Sequence, residues 1–219
     1  MFIGHFAMAF AAKKAAPAGS LGGFFAAAQL PDLLWPLLVL TGVERVTIVP
    51  GDTAFTPLRF DFYPISHSLL MDAFWAAAFA AVVFWRTRSR RTAFVSALLV
   101  LSHWALDVVS HRADMPLLPG YPLKLGLGLW NSIPATLAVE TGLFVFGVWV
   151  YVRATPGSDG VGNLSLAALL AILLTCYAGA AFGGPPPGVT VVALAGLVGA
   201  ALLLGMGWWV DEKRTTRPA

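Results

Sequence analysis

This sequence predicts an all-α fold: a polytopic transmembrane helix bundle of six to seven helices, forming one integral membrane domain over residues 1–219. Three observations predict it. Hydrophobic residues make up 58% of the chain and charged residues 11%, where a soluble domain carries about 25% charged. Mean hydropathy is +0.77. Apolar runs recur between Gly, Pro and charged breaks, most of them long enough to cross about 30 Å of hydrocarbon at about 1.5 Å per residue.

The helices are expected at 2–16, 20–41, 65–85, 92–111, 131–152, 163–182 and 188–210. In the first, Lys13 and Lys14 follow the apolar stretch instead of preceding it, so the segment reads as retained structure and not as a cleaved signal. Its dozen residues before the lysines reach only roughly 18 Å, which ends it partway through a bilayer. The 65–85 helix follows Pro64, with Ser66 as its cap and Ser68 as a small packing residue. A nucleophilic Ser66 or Ser68 activated by His67 is disfavoured, because adjacent residues on a helix do not face each other. Residues 163–182 and 188–210 hold no Asp, Glu, Lys, Arg or His and join through GGPPPG. They read as packing partners, with Gly196, Gly199 and Ala200 allowing close approach, which leaves residues 1–140 to carry any chemistry.

Basic residues orient the bundle. With the first loop cytoplasmic, the inner side holds Lys13, Lys14, Arg86, Arg88, Arg90, Arg91, Arg153, Lys213, Arg214 and Arg217, leaving Arg45, Arg59, Arg112 and Lys124 outside. The expected location is a bacterial inner (plasma) membrane, with a cytoplasmic C-terminus. The RTRSRR loop is then a topology anchor, and the net charge of +3 gives no reason to expect nucleic acid. The single cysteine, Cys176, rules out an internal disulfide and a Cys-rich metal site. GLGLW near 126 follows no expected strand and is no nucleotide loop. Loop 43–62, with Glu44, Arg45, Asp52, Arg59 and Asp61, reads as an ordinary solvated loop, a lid being the alternative.

Depth brings the polar residues together. In LSHWALDVVSH, His103, Asp107 and His111 stand four apart, on one helical face. His103 lies roughly 12 Å and Asp107 roughly 6 Å below the outer end of that helix. Asp32 lies roughly 14 Å below the end of its own, and His67 starts the next. His5 and Glu140 reach a similar level, with Asp72 a turn and a half below His67. Charges at such depth cost about 2.5–3.5 kcal/mol each unless compensated, and one divalent cation compensates carboxylates and imidazoles together. The expected ligands are His5, Asp32, His67, His103 and Asp107, with His111 at the rim. Zinc is the first choice and manganese or iron the alternatives. Asp72 or Glu140 is the candidate general base, or a partner orienting a histidine.

Gly4-His5, Pro31-Asp32, His67-Ser68 within PISHSLL, Ser102-His103 with Asp107, and the following MPLLP form an ordered set over roughly residues 1–120. The set resembles the bacterial membrane-bound metal-dependent hydrolase family. It departs from that family in having Leu33, Leu34 and Trp35 where a second acid follows the Pro-Asp pair, and in lacking an extra His before the His-Ser motif. Asp61 or His111 is the candidate substitute. The resemblance implies a metal-activated water attacking a phosphoryl or acyl centre. A site at this depth implies a membrane lipid or lipid-linked ester as substrate. A permease or metal transporter using the same cluster is the alternative, and a non-catalytic membrane protein the third reading.

Overall fold

A computed structural model describes residues 1–157 and 160–214. Nine α-helices and two short hairpins are found among them. They are α1 (Ile3–Ala15), α2 (Leu21–Ala28), α3 (Leu30–Leu40), β1 (Arg45–Ile48), β2 (Leu58–Phe62), α4 (Pro64–His67), α5 (Leu69–Thr87), α6 (Arg90–Ser110), β3 (Met115–Pro116), β4 (Lys124–Leu125), α7 (Ile133–Ala154), α8 (Gly160–Phe182) and α9 (Val189–Glu212). Helices α5 to α9 are each long and apolar enough to cross a membrane, and α2 with α3 makes a sixth span if the bent pair is counted as one. The protein is therefore a membrane protein of five to six spans around a short inner helix. Arg217, counted above among the inner cations, lies outside the described residues.

Two expected helices are broken. The 20–41 segment bends by 55° at Gln29, because Pro31 in the first turn of α3 has no N–H to continue the ladder. The 65–85 segment opens with the single turn α4 and restarts at Ser68, whose extended backbone and side chain cap Met71 N at 3.3 Å. Both breaks fall beside expected ligands, Asp32 and His67.

The short helix α1 is the centre of the bundle. Its buried residues, including Ile3, His5, Phe6, Phe10 and Lys13, cover most of its circumference and leave a stripe through Met8, Ala11 and Ala15 more open. Gly147 of α7 permits this, since a Cβ there would stand 2.3 Å from Ala7 O. The close contact of α9 is likewise with α2, where Gly207 lies 3.0 Å from Gly22 Cα measured from an ideal Cβ. Gly199 has nothing within 4 Å. Gly196 does lie against a neighbouring helix, with Pro36 Cγ of α3 3.6 Å from its ideal Cβ, and Gly196, Gly199 and Ala200 also line a cavity.

Loop 43–62 is not a plain solvated loop. It folds into the antiparallel hairpin β1–β2, with Val46 opposite Phe60. Val46, Leu58 and Phe60 pack on Trp35, Tyr63, Trp104 and Met115, beside the C-terminal end of α6. The hairpin tip is anchored by charge: Asp52 Oδ1 accepts from Arg59 Nε at 2.7 Å and from Arg112 Nη1 at 2.8 Å.

Candidate metal centre

Helix α6 supplies the fixed wall of the site. Its i, i+4 spacing stacks His103 over Asp107, with His103 Nε2 3.2 Å from Asp107 Oδ2. The bend at Gln29 brings Asp32 Oδ1 to 3.7 Å from the same nitrogen. The one-turn helix α4 brings His67 Nε2 to 3.4 Å from Asp32 Oδ1 and 3.9 Å from Asp107 Oδ2. Helix α1 places His5 Nε2 3.0 Å from Asp107 Oδ1, its ring stacked on His103 at 3.8 Å between centroids. The α-amino group of Met1 also contacts Asp107 Oδ1. Two overlapping groups have potential ligand atoms within 4.8 Å of one another: His5, His103 and Asp107, and Asp32, His67 and His103. Five expected ligands from α1, α3, α4 and α6 are thus brought together.

Hydrogen bonds behind the rings decide which nitrogens are bare. His103 Nδ1 lies 2.8 Å from Ala28 O, an acceptor only, so Nδ1 carries the hydrogen and Nε2 of the neutral ring is a lone pair. Glu44 accepts from Ile65 N, Ser66 N and the Ser66 hydroxyl at 2.8, 2.9 and 2.6 Å. With its hydrogen committed to Glu44, Ser66 Oγ accepts from His67 Nδ1 at 2.6 Å, and His67 Nε2 is bare in turn. His111 Nδ1 donates to Asp114 Oδ1 at 3.0 Å, which turns its Nε2 to 3.9 Å from Asp107 Oδ2. His111 is the C-cap of α6 and not part of its helical row. It stands at the rim.

In their neutral forms His67 and His103 turn lone pairs toward the carboxylate oxygens of Asp32 and Asp107, acceptor against acceptor. His103 Nε2 is buried and makes no aligned hydrogen bond despite the 3.2 Å approach. A cation among these four atoms removes that repulsion, and two carboxylates with two neutral imidazoles balance a divalent charge. Metal–nitrogen bonds of about 2.0–2.1 Å separate tetrahedral ligand atoms by roughly 3.4 Å. The pairs at 3.2, 3.4, 3.7 and 3.9 Å bracket that separation. Asp32, His67 and His103 form one candidate metal-ligand trio and His5, His103 and Asp107 a second, the two sharing His103.

The remaining expected residues are placed otherwise. Glu140 is fully buried and accepts from Phe2 N at 2.8 Å and Gly4 N at 3.2 Å. It holds the first turn of α1, and so the position of His5, instead of facing the cluster as a base. Asp72 is fully buried in the first turn of α5, and neither carboxylate oxygen makes a regular hydrogen bond. It interacts electrostatically with His103 and His67 but does not line the cavity. Asp61 is exposed on β2 and substitutes for no ligand. Ser66 touches His67 after all, because the single turn of α4 allows a contact that a long helix would not.

Sequence reasoning missed Glu44, Tyr63 and Asp114. Burial pushes the Asp114 carboxyl up, but hydrogen bonds from His111, Tyr63 and Arg112 outweigh it and hold the acid below the ordinary carboxylate range. Tyr63 donates to Asp114 at 2.9 Å, and burial together with that neighbouring charge raises its phenol well above the usual value. The signal for Asp114 was its spacing of three from His111.

A cavity of about 680 Å³ reaches this cluster, its wall including Asp32, His67, Asp107 and His111. Asp32 is the open member: its side chain is 43% exposed, against 4% or less for His67, His103 and Asp107. Much of the remaining lining comes from α2, α3, the 50–58 stretch, α8 and α9, with Phe6 of α1, Phe60 and Trp130 beside them. The last two helices thus belong to the site-bearing part and are not packing elements alone. No known protein family, curated protein or solved structure matches this chain.

Proposed function

We propose that the protein is a membrane-embedded metal-dependent hydrolase acting on a lipid or lipid-linked phosphoester from the extracytoplasmic side of the plasma membrane. The observation that carries this reading is the bare Nε2 pair of His67 and His103 facing Asp32 and Asp107 on the wall of a largely apolar cavity. Zinc is the first candidate, with manganese or iron as alternatives. A divalent ion there supplies Lewis acidity and lets water ionise near neutral pH. His67, His103 and Asp107 would hold the ion, the two rings fixed from behind by Ser66 and Ala28 O. Asp32, the most exposed of these side chains, would stand at the open edge of the ligand set and take the proton of the attacking water. Phe6, Phe10, Phe25 and Tyr151 pack edge to face as an apolar layer within the bundle. This favours a closed reaction site over translocation. The resemblance to membrane-bound metal-dependent hydrolases and the clustering of basic residues beyond one end of the spans support the class and the orientation.

Elemental mass spectrometry of protein purified without chelator tests it. One equivalent of metal is expected, lost when His103→Ala and Asp107→Ala are combined, with turnover of lipid phosphoesters lost in parallel. A metal-free wild type refutes the reading. Metal flux in proteoliposomes without turnover would replace it with transport.

A further inference from the structure

Three side chains that line the cavity each carry a polar atom sealed from solvent and without a partner. Gln29 Oε1, Trp35 Nε1 and Trp130 Nε1 are buried and without a hydrogen bond, and all three side chains line the cavity while being only 6%, 8% and 9% exposed. A buried polar group without a partner costs about 1–3 kcal/mol. Such groups are few in a folded protein, so three on one cavity point to something the cavity receives. The atoms are two N–H donors and one acceptor, and their side chains line the same cavity as the proposed ligands. Trp130 packs at 4.3 Å on His111, and Trp35 lies one turn beyond Asp32 on α3.

Away from this polar end the lining is apolar and small. On α9 it runs from Val192 to Leu204 through Gly196, Gly199 and Ala200, a rise of roughly 18 Å. Gly199 leaves open space where a side chain would stand, so a chain can lie against the helix there.

We propose that the cavity binds a single-chain amphiphile, its oxyanion or ester head accepting hydrogen bonds from Trp35 and Trp130 Nε1 beside the Asp32 cluster and its tail lying along α9 past Gly199. Gln29 Oε1 accepts from a hydroxyl of the same head. The inference rests on the hydrolytic reading for its headgroup, and it names the residues that select the substrate. Neither tryptophan acts on the reacting atoms; both position the head.

The test uses hexadecyl phosphate carrying a terminal photoreactive diazirine, added to the purified protein in nanodiscs. The label should map by mass spectrometry to residues 192–204. Trp35→Phe and Trp130→Phe keep the ring and remove the donor, and each should raise the half-saturating probe concentration about tenfold, the equivalent of about 1.4 kcal/mol. Gly199→Leu should drive the label out of 192–204, while Gly205→Leu, on the same helix with open space but off the cavity, should label as wild type. Labelling spread over the lipid-facing residues of α5, or a Gly199→Leu pattern identical to wild type, overturns the proposal whatever the tryptophan variants do. Metal content measured on the same samples separates the two readings. A metal-free protein that still labels 192–204 in a tryptophan-dependent way sinks the hydrolase and keeps the amphiphile site. A metal-loaded protein that does not label there sinks the amphiphile site alone.

Discussion

Ser66→Ala removes one hydroxyl that does two things. It donates to Glu44 Oε2 at 2.6 Å and accepts from His67 Nδ1 at 2.6 Å, in a region where Ser66 and Glu44 are no more than 1% exposed. Glu44 keeps its two backbone donors, so the loop is not released. His67 loses the acceptor that fixes its tautomer and ring angle, and its Nε2 no longer faces Asp32 with a defined lone pair. Removing a group that orients a metal-bound histidine lowers affinity by about 10–100-fold, equivalent to about 1.4–2.8 kcal/mol. The two orphaned groups each cost about 1–3 kcal/mol of stability as well. Competition against a chromophoric chelator measures the affinity, and thermal unfolding in the same detergent measures the stability. Ser68→Ala is the control. It removes the N-cap of α5 two residues away, which costs about 1 kcal/mol of stability but leaves His67 Nδ1 bonded. Wild-type metal affinity in Ser66→Ala, or equal affinity losses in both variants, would refute the relay from Glu44 through Ser66 to His67.

Other perturbations read other parts of the molecule. Asp32→Asn keeps the size of the cavity-facing group but removes its charge and basicity. Turnover should fall by at least about 100-fold, against a smaller loss of metal measured by elemental analysis. Gly147→Ala forces a methyl against Ala7 O and should destabilise by about 1–3 kcal/mol, seen as a lower unfolding temperature and partial metal loss as α1 shifts His5. Lys13 Nζ is bonded to Asp211 Oδ2 and Gly19 O, both at 2.7 Å, at the inner end of α1. Lys13→Met strands a mostly buried carboxylate and should cost about 3–5 kcal/mol in unfolding measurements, with metal affinity per folded molecule unchanged.

The helical spans and their ends were legible because each rests on a property of a contiguous stretch. Residues 133–154, 160–182 and 189–212 form helices within a few positions of where apolar runs and breaks put them. His103 and Asp107 were legible for the same reason, since the repeat of a helix alone stacks residues four apart. Depth arithmetic added His5, Asp32 and His67, because in a bilayer the distance along a helix is also a coordinate across the membrane. The arithmetic treated 20–41 and 65–85 as straight helices. It could not supply the 55° bend at Gln29 or the restart at Ser68, which give Asp32 and His67 their final approach.

Sequence by itself determined that this chain is a helical membrane protein and that a handful of His and Asp side chains share one level of it. Hydrophobicity and helical rise are additive along the chain, so neither depends on which helices become neighbours. Only the tertiary structure decided the chemistry at that level. Glu44, which looks like a solvated loop charge, is buried under Ser66, Glu140 holds the start of α1, and Gly199 of α9 borders a cavity. Each of these depends on pairs such as Glu44 with Ser66, Ala28 with His103 or Glu140 with Gly4. The direction of a hydrogen bond between such residues, and so the nitrogen left bare for a metal, exists only once packing has brought the partners together.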